Sequence, residues 1–564
     1  MTNTKNKLTD ALFWVGGALL VGWFANYESS VVRTTWEQSH DFQKALRATT
    51  DSVLAWWKPS LNQTDLLVGA AGVAIVLLFW AYKASVDAIP RRDGEEEGSA
   101  AWSSPKDFQP FTEKNKNNCL LMSKTEALST DTHKTRRNLN TLVLGAAGSG
   151  KTRGHVMPNL KNLAKADHKM SFVVTDPKGE LYQNTHEMMK NLGYEVRHLD
   201  LVDMARSNHF NPLEYIREDS EEEDLMLLAD NILKNMGGKD EKQDFWMQSS
   251  QALLRALIAW VYYVQPHPSL VAVADLLAQM QASEQDENAK SPVDLGFAEI
   301  PKMTQDMVKN PDKYKDPKVQ RMVAGLSFAY SQYRAYDQAA GETKKSIITT
   351  LANKLAAINT SRIKQILSDD EMDIYSVGRK PTIIYMCISD TSTTFTWVAA
   401  VFYQNLFQAL LYEADHNKGG ALDYPTHCFL DEFANIGKIP MFEILIATMR
   451  SRGVSVSVIL QGLSQLKEMY KDSWETIVAN CDSILFLGGQ DQTTTEWLSK
   501  RLGNQTIMVK STSTSKGSSG SYSISEQRHK RELMQPDELA TMDNRRVVYI
   551  LRGLHPFFSW KLDS

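Results

Sequence analysis

Over the first ninety residues the apolar positions run together instead of recurring with a helical or strand period. ALFWVGGALLVGWFANY lies between Asp10 and Glu28, and LLVGAAGVAIVLLFWAY lies between Asp65 and Lys83. Each run of about 17 uncharged residues makes roughly 25 Å of helix, near the short end for crossing a bilayer. Trp14, Trp23, Trp80 and Tyr82 sit near the ends, where interfacial aromatics are favoured. A cleaved signal peptide followed by a buried core helix is the competing reading. The second apolar run, arriving before any folded domain, favours a membrane anchor over residues 1–90, with transmembrane helices at about 11–27 and 66–82. The basic residues do not set its orientation, because Lys5, Lys7, Lys83, Arg91 and Arg92 face Arg33, Arg47 and Lys58.

Arg91 to Asp107 is charged and rich in small residues, a linker leading to a new pattern. From residue 139 onward, LNTLVL, MSFVVT, YEVRHL, PTIIYMCI, THCFLDE, VSVSVIL and DSILFL are strand-length and mostly unbroken by polar residues. Unbroken apolar strands are buried on both faces, which predicts a largely parallel sheet between helix layers. The alternation stops between about Ser220 and Asn353, where DFWMQSSQALLRALIAWVYYV and SLVAVADLLAQMQ have helical spacing. The expectation is therefore an α/β domain over 139–219 and 354–564, interrupted by an all-helical insertion at 220–353 and preceded by a linker at 91–138. STSTSKGSSGSYSIS reads as a polar, mobile loop, and RRVVYILR and FFSWKL as two closing strands.

Composition narrows the picture only slightly. A chain of 564 residues exceeds one compact core. The net charge of −5 argues against a wholesale nucleic-acid coat, though it leaves room for a local basic channel. Cys119, Cys387, Cys428 and Cys481 are scattered without a CxxC pair, which favours buried reduced thiols over disulfides or a metal site.

The chemistry concentrates at a few strand ends. Gly145, Ala146, Ala147, Gly148, Ser149, Gly150, Lys151 and Thr152 fit G-x-x-x-x-G-K-[ST] between a strand and a helix. Such glycines let backbone N–H groups converge on phosphate oxygens at the positive end of the helix. Lys151 is placed for the β- and γ-phosphates of ATP and Thr152 for Mg²⁺. Asp176 and the pair Asp431–Glu432 both end strands. The pair is the better motor site, with Asp431 for the metal shell and Glu432 to orient and deprotonate water. Asp176 reads equally well as the cap of the next helix. Gln461 ends a later strand, where a neutral amide can sense phosphate or position water. Arg450 and Arg452 precede that strand; they suit charge stabilisation in phosphoryl transfer from a neighbouring subunit, or a helix C-terminus on the surface.

Taken in order, the Walker A loop, DPKGE at Asp176–Glu180, FNPL at Phe210–Leu213, FLDEF at Phe429–Phe433 and MRSRG…LQ at Met449–Gln461 resemble the type IV coupling proteins of bacterial conjugation and secretion. These TraG/TraD proteins are related to the FtsK-like and RecA-like ring ATPases. The resemblance implies a RecA-like P-loop fold, with Glu432, Lys151, Gln461 and Arg450 catalytic, and Thr152 and Asp431 at the metal. It implies ATP and Mg²⁺ as cofactors and a homo-oligomer, as a hexameric ring. A second arginine of the family corresponds to Arg136 or Arg137. The implied partners are single-stranded DNA with its relaxase and accessory proteins, and the type IV secretion channel subunits. The implied location is the bacterial cytoplasmic membrane, with both termini and the ATPase domain inside. A docking adaptor that uses ATP only for assembly, and a chromosome-type double-stranded DNA pump, are the alternatives. Asp431, Glu432 and Gln461 favour turnover over mere binding.

Overall fold

A computed structural model describes residues 3–52, 58–87, 94–237, 245–283, 290–515 and 521–562. The chain forms two compact units, residues 1–96 and 97–564. In the first, a helix over Asn3–Ser39 packs against a helix over Gln63–Asp87, with a shorter helix at Phe42–Ser52 between them in sequence. The first apolar run falls within the helix Asn3–Ser39, which continues beyond the predicted end at 27. The two long helices approach closely at glycines: a Cβ on Gly22 would lie 2.8 Å from the Gly69 carbonyl and 2.3 Å from a Val73 methyl. Small residues permit this backbone proximity. Among the described residues, Gln63–Lys83 is long and apolar enough to cross a membrane, with a mean hydropathy of 2.0. At one end of this pair Asp65 is fully buried, accepting hydrogen bonds from Ser29 (2.8 Å), Ser60 (2.7 Å) and Arg33 (3.0 and 3.1 Å).

The second unit is built on a nine-stranded sheet. Its strands are β1 (Thr141–Leu144), β2 (Ser171–Thr175), β3 (Glu195–Asp200), β4 (Thr382–Cys387), β5 (Thr426–Leu430), β6 (Val454–Leu460), β7 (Ser483–Phe486), β8 (Arg546–Leu551) and β9 (Phe557–Trp560). Their spatial order is β9-β8-β7-β1-β6-β5-β2-β4-β3. The first seven in sequence pair in parallel, while β8 is antiparallel to both β7 and β9. All seven apolar runs expected as strands are therefore strands. Every residue of β1, β2, β4, β5, β6 and β7 is buried, as sheets covered on both faces require.

Between β3 and β4 the described residues contain no strand. Helices Glu221–Met236, Phe245–Val264, Leu270–Ala278, Pro292–Lys309, Pro317–Asp337 and Gly341–Leu355 fill the interval, and short helical turns continue to Gly378. They share one apolar core with the sheet, in which Leu253 and Leu257 join the same cluster as Leu142 and Val458. The polar stretch read as a loop turns out differently. Asn504–Ser515 and Ser521–Glu532 pair as an antiparallel ribbon in register from Asn504↔Glu532 to Ser515↔Ser521, around residues outside the description. Threonine, valine and isoleucine favour extended backbone even where they bury little, and the exposed Met508, Val509 and Ile524 lie on this ribbon.

Candidate functional site

The site forms where three neighbouring parallel strands end. β1 leads into Gly145, β5 into Asp431 and β6 into Gln461, with Leu144 paired to Leu460 and Leu430 to Val458. Ligands of open α/β sheets bind at such carboxyl ends, where successive connections leave in opposite directions. Here β1 lies between β6 and β7.

The phosphate loop is anchored at its root. Gly145 N–H donates to the Leu460 carbonyl (3.1 Å) and Ala146 N–H to the Gly488 carbonyl (2.9 Å). Gly148 and Gly150 have φ of +76° and +90°, values that suit glycine and turn the loop back on itself. The following helix is one residue wider per turn over Thr152–Val156 before continuing as Met157–Leu163. Pro158 explains the widening, because it removes an N–H and crowds the preceding turn. The buried Ser149 hydroxyl has no partner among the described residues. An orphaned hydroxyl in a loop of inward-turning amides fits a phosphate.

Lys151 is buried, and its ammonium donates to the carbonyls of Gly145 (3.0 Å) and Ala146 (3.4 Å) while standing 3.3 Å from Glu432 Oε1. The Thr152 hydroxyl donates to Asp431 Oδ2 at 2.5 Å. Burial pushes the Asp431 carboxyl up to about 6, and the Glu432 charge adds to the push. The Thr152 hydroxyl, the Lys151 ammonium and the Glu432 N–H oppose it. A threonine hydroxyl and a buried carboxylate in contact form an oxygen donor pair suited to Mg²⁺. Glu432 has φ +50°, ψ +53°, a left-handed conformation uncommon outside glycine and asparagine. Its N–H donates to Asp431 Oδ1 (3.1 Å), and Gln461 Nε2 donates to Glu432 Oε2 (3.2 Å). The glutamate is thus held between the P-loop lysine and the amide at the end of β6.

Arg450 stands apart. It lies in the turn Met449–Arg452 before β6, so seven strand residues, roughly 23 Å, separate it from Gln461. It is exposed and has no side-chain partner among the described residues. Arg452 is engaged with Asp415 at 2.7 Å. Upstream of β1, Arg137 donates to the Arg552 carbonyl (2.6 Å) and lies over the Phe111 ring (5.3 Å). Arg136 is exposed, and only its carbonyl is engaged, by Arg137 and Arg552.

Three features escaped sequence reasoning. Lys561 donates to the Ser149 carbonyl at 2.8 Å and to Asn544 at 3.1 Å, tying the C-terminal segment to the phosphate loop. Burial lowers its ammonium to about 8, with Asp543 opposing. No motif spacing marks it. His155 and His427 share the Ser457 hydroxyl (3.2 and 2.9 Å) beneath the loop, and burial holds both rings neutral at about 4 and about 3. Asn235 receives the Lys438 N–H (2.8 Å) and donates to its carbonyl (3.1 Å), joining the first inserted helix to the segment after Glu432. Asp176 accepts the Tyr182 N–H at 2.8 Å, in the first turn of helix Glu180–Asn191, whose N-cap position is Gly179.

A family model described as "Type IV secretory system Conjugative DNA transfer" matches residues 109–562. Protein VirD4 of Rhizobium radiobacter is 25% identical over 428 residues, covering 74% of this chain and 56% of its own length. A conjugal transfer protein TraG of Escherichia coli is 26% identical over 412 residues, 70% of this chain and 60% of its own. The chain thus spans little more than half the length of these relatives. The unbound bacterial conjugative coupling protein TrwBdeltaN70 shares the fold with a TM-score of 0.59 at 16% identity, over 84% of this chain and 97% of that one. TrwB in complex with ADP and Mg²⁺ has a TM-score of 0.58 at 15% identity, over 82% and 94%. Because the family model takes in well over half of the sequence, the chain belongs to the type IV secretion coupling proteins of conjugative DNA transfer.

Proposed function

We propose that this protein is a membrane-anchored, Mg²⁺-dependent ATPase that recruits single-stranded DNA carrying its relaxase and drives it into a type IV secretion channel. The observation that carries the reading is the chain of contacts Lys151–Glu432–Gln461 at three adjacent strand ends. A pure docking scaffold has no use for a carboxylate held between a phosphate-binding lysine and a water-positioning amide. Gly145 to Gly150 cradle the phosphates, and the orphaned Ser149 hydroxyl gains a partner there. Thr152 and Asp431 hold the Mg²⁺, which supplies Lewis-acid neutralisation of phosphate charge. Lys151 and Glu432 neutralise one another in the structure. A triphosphate competing for the ammonium frees the glutamate to take a proton from water, so binding itself arms the base.

Arg450 and Arg136 complete the site from a neighbouring copy in a homo-oligomeric ring, taken here as a hexamer. On this reading the helix Gln63–Asp87, which is long and apolar enough to cross a membrane, pairs with the helix Asn3–Ser39 carrying the first apolar run as a hairpin in the cytoplasmic membrane, with the ATPase unit and both termini inside. DNA held through its phosphates is bound without sequence preference and weakly at high salt.

Glu432→Gln preserves shape and removes the base. It is expected to bind ATP normally and to lose ATP turnover by about 10²–10⁴-fold, together with DNA transfer. Wild-type turnover by this variant, measured as phosphate release, overturns the assignment.

A further inference from the structure

Away from the nucleotide site, three potential metal ligands converge at the far edge of the sheet. His198, Asp200 and Cys387 have their ligand atoms within 4.8 Å of one another, and all three residues are buried. The backbone explains the convergence. His198 and Asp200 are two apart on β3 and therefore share a face. Asp200 is the register partner of Cys387, the last residue of β4. His198 Nε2 lies 3.2 Å from Cys387 Sγ and 3.6 Å from Asp200 Oδ2. Ligand bonds of about 2.0 Å to nitrogen and oxygen and 2.3 Å to sulfur, at tetrahedral angles, require edges of roughly 3.3–3.5 Å. The two separations from His198 lie within about 0.3 Å of these edges, and the Asp200 and Cys387 ligand atoms are within 4.8 Å of each other, so side-chain adjustment brings the three onto one ion.

The surroundings orient the same atoms. Asp200 Oδ1 accepts the N–H groups of Val202 and Asp203, both at 2.8 Å, which turns Oδ2 toward the histidine. Tyr182 stacks on the His198 ring at 3.9 Å between centroids, and His186 stacks on the other face of Tyr182 at 4.5 Å. Outer contacts of this kind fix the rotamers of metal ligands. Burial keeps the His198 ring neutral, against the pull of Asp200, and the Cys387 thiol protonated. The imidazole is then ready to ligate, and the thiol must surrender its proton to do so.

We propose that His198 Nε2, Asp200 Oδ2 and Cys387 Sγ bind one zinc-class divalent cation, leaving a fourth position for water. One sulfur–metal bond forms as one S–H bond breaks, and the proton leaves to solvent. The helices lie between β3 and β4 in sequence, so the cation clasps the carboxyl ends of the two strands beside the point where the helical segment departs from β3. A mixed nitrogen, oxygen and sulfur set prefers Zn²⁺ over the Mg²⁺ required at the P-loop.

The test uses the full-length protein in detergent, stripped with a chelator and titrated with Zn²⁺ against a chromophoric competitor. Wild type is expected to take up about one equivalent, to release about one proton, and to melt at higher temperature with the metal. Co²⁺ in its place is expected to give a thiolate charge-transfer band. Cys387→Ser, His198→Gln and Asp200→Asn should each weaken uptake at least about tenfold, whereas Cys428→Ser, at another buried thiol, should change nothing. Loss of folding in one variant leaves the wild-type stoichiometry and the cobalt spectrum to decide. Absence of uptake by wild type at micromolar free Zn²⁺, or equal uptake by the folded variants, overturns the site.

Discussion

The two ends of the same parallel strands are built differently. At the carboxyl ends of β1, β5 and β6, Lys151, Thr152, Asp431 and Glu432 are partly or wholly sheltered and joined to one another, and the exposed Gln461 is tied to them through Glu432. At the amino ends of β1 and β6, Arg136 and Arg450 project into solvent with no side-chain partner among the described residues. Their neighbours Arg137 and Arg452 are held by Arg552 and Asp415. Four arginines with similar sequence surroundings therefore divide into two that fasten the fold and two that are free to act elsewhere. A strand's length separates the free pair from the phosphates of their own subunit. On the function proposed above, the constellation is closed on one side and would be completed by a second copy on the other.

This contrast can be broken at several points. The largest expected effect is that of Arg450→Ala, which should lower ATP turnover by about 10³-fold or more while leaving nucleotide affinity intact. Steady-state hydrolysis alongside binding of a fluorescent ATP analogue separates the two quantities. Next come Arg136→Ala and Arg137→Ala. The first should reduce turnover with the melting temperature unchanged; the second should lower the melting temperature, since it removes the bond to the Arg552 carbonyl and the Phe111 contact. The reverse pattern exchanges their roles.

A smaller effect concerns pH. Asp431 retains its proton up to about 6, and that proton competes with Mg²⁺. Apparent Mg²⁺ affinity should fall about tenfold for each pH unit below 6. Titrations at pH 7 and pH 5 measure this, and a flat profile removes Asp431 from the metal shell. The same shift carries a sign for folding. Without metal, the folded chain holds an extra proton between the ordinary carboxylate value and 6, so this group's contribution to stability declines as pH rises through that window. The mildest change is Lys561→Met, which loosens the phosphate loop by one hydrogen bond. It should weaken nucleotide binding by about 1 kcal/mol, roughly fivefold, and spare the turnover of bound nucleotide.

Much of this was legible in the sequence, for physical reasons that differ by region. Six of the seven parallel strands announced themselves because burial on both faces favours apolar runs, while β3, at the sheet edge, is buried only over its last three residues. The phosphate loop was legible because few residue types allow the turns at Gly148 and Gly150. The ribbon at 504–532 was not, since its strands alternate serine, threonine and charged residues and lack the apolar face that usually signals a strand. Lys561 and Ser149 lie 412 residues apart and carry no spacing signal. The same holds for His198 and Cys387, separated by 189 residues, although the four cysteines are free and buried as their spacing predicts. In each such case sheet register or chain return brings together what the sequence separates. The composition of Arg450 and Arg452 also could not say which was engaged; only the position of Asp415 decides it.

The most direct test is a mixing experiment with two inactive full-length proteins, Lys151→Ala and Arg450→Ala. The first keeps its arginine and the second keeps its phosphate loop. If the site lies between subunits, an equimolar mixture allowed to exchange regains ATP hydrolysis, approaching about one quarter of the wild-type rate when neighbouring sites act independently. No recovery from subunits shown to co-assemble, or full activity of Arg450→Ala alone, contradicts a site shared across the seam.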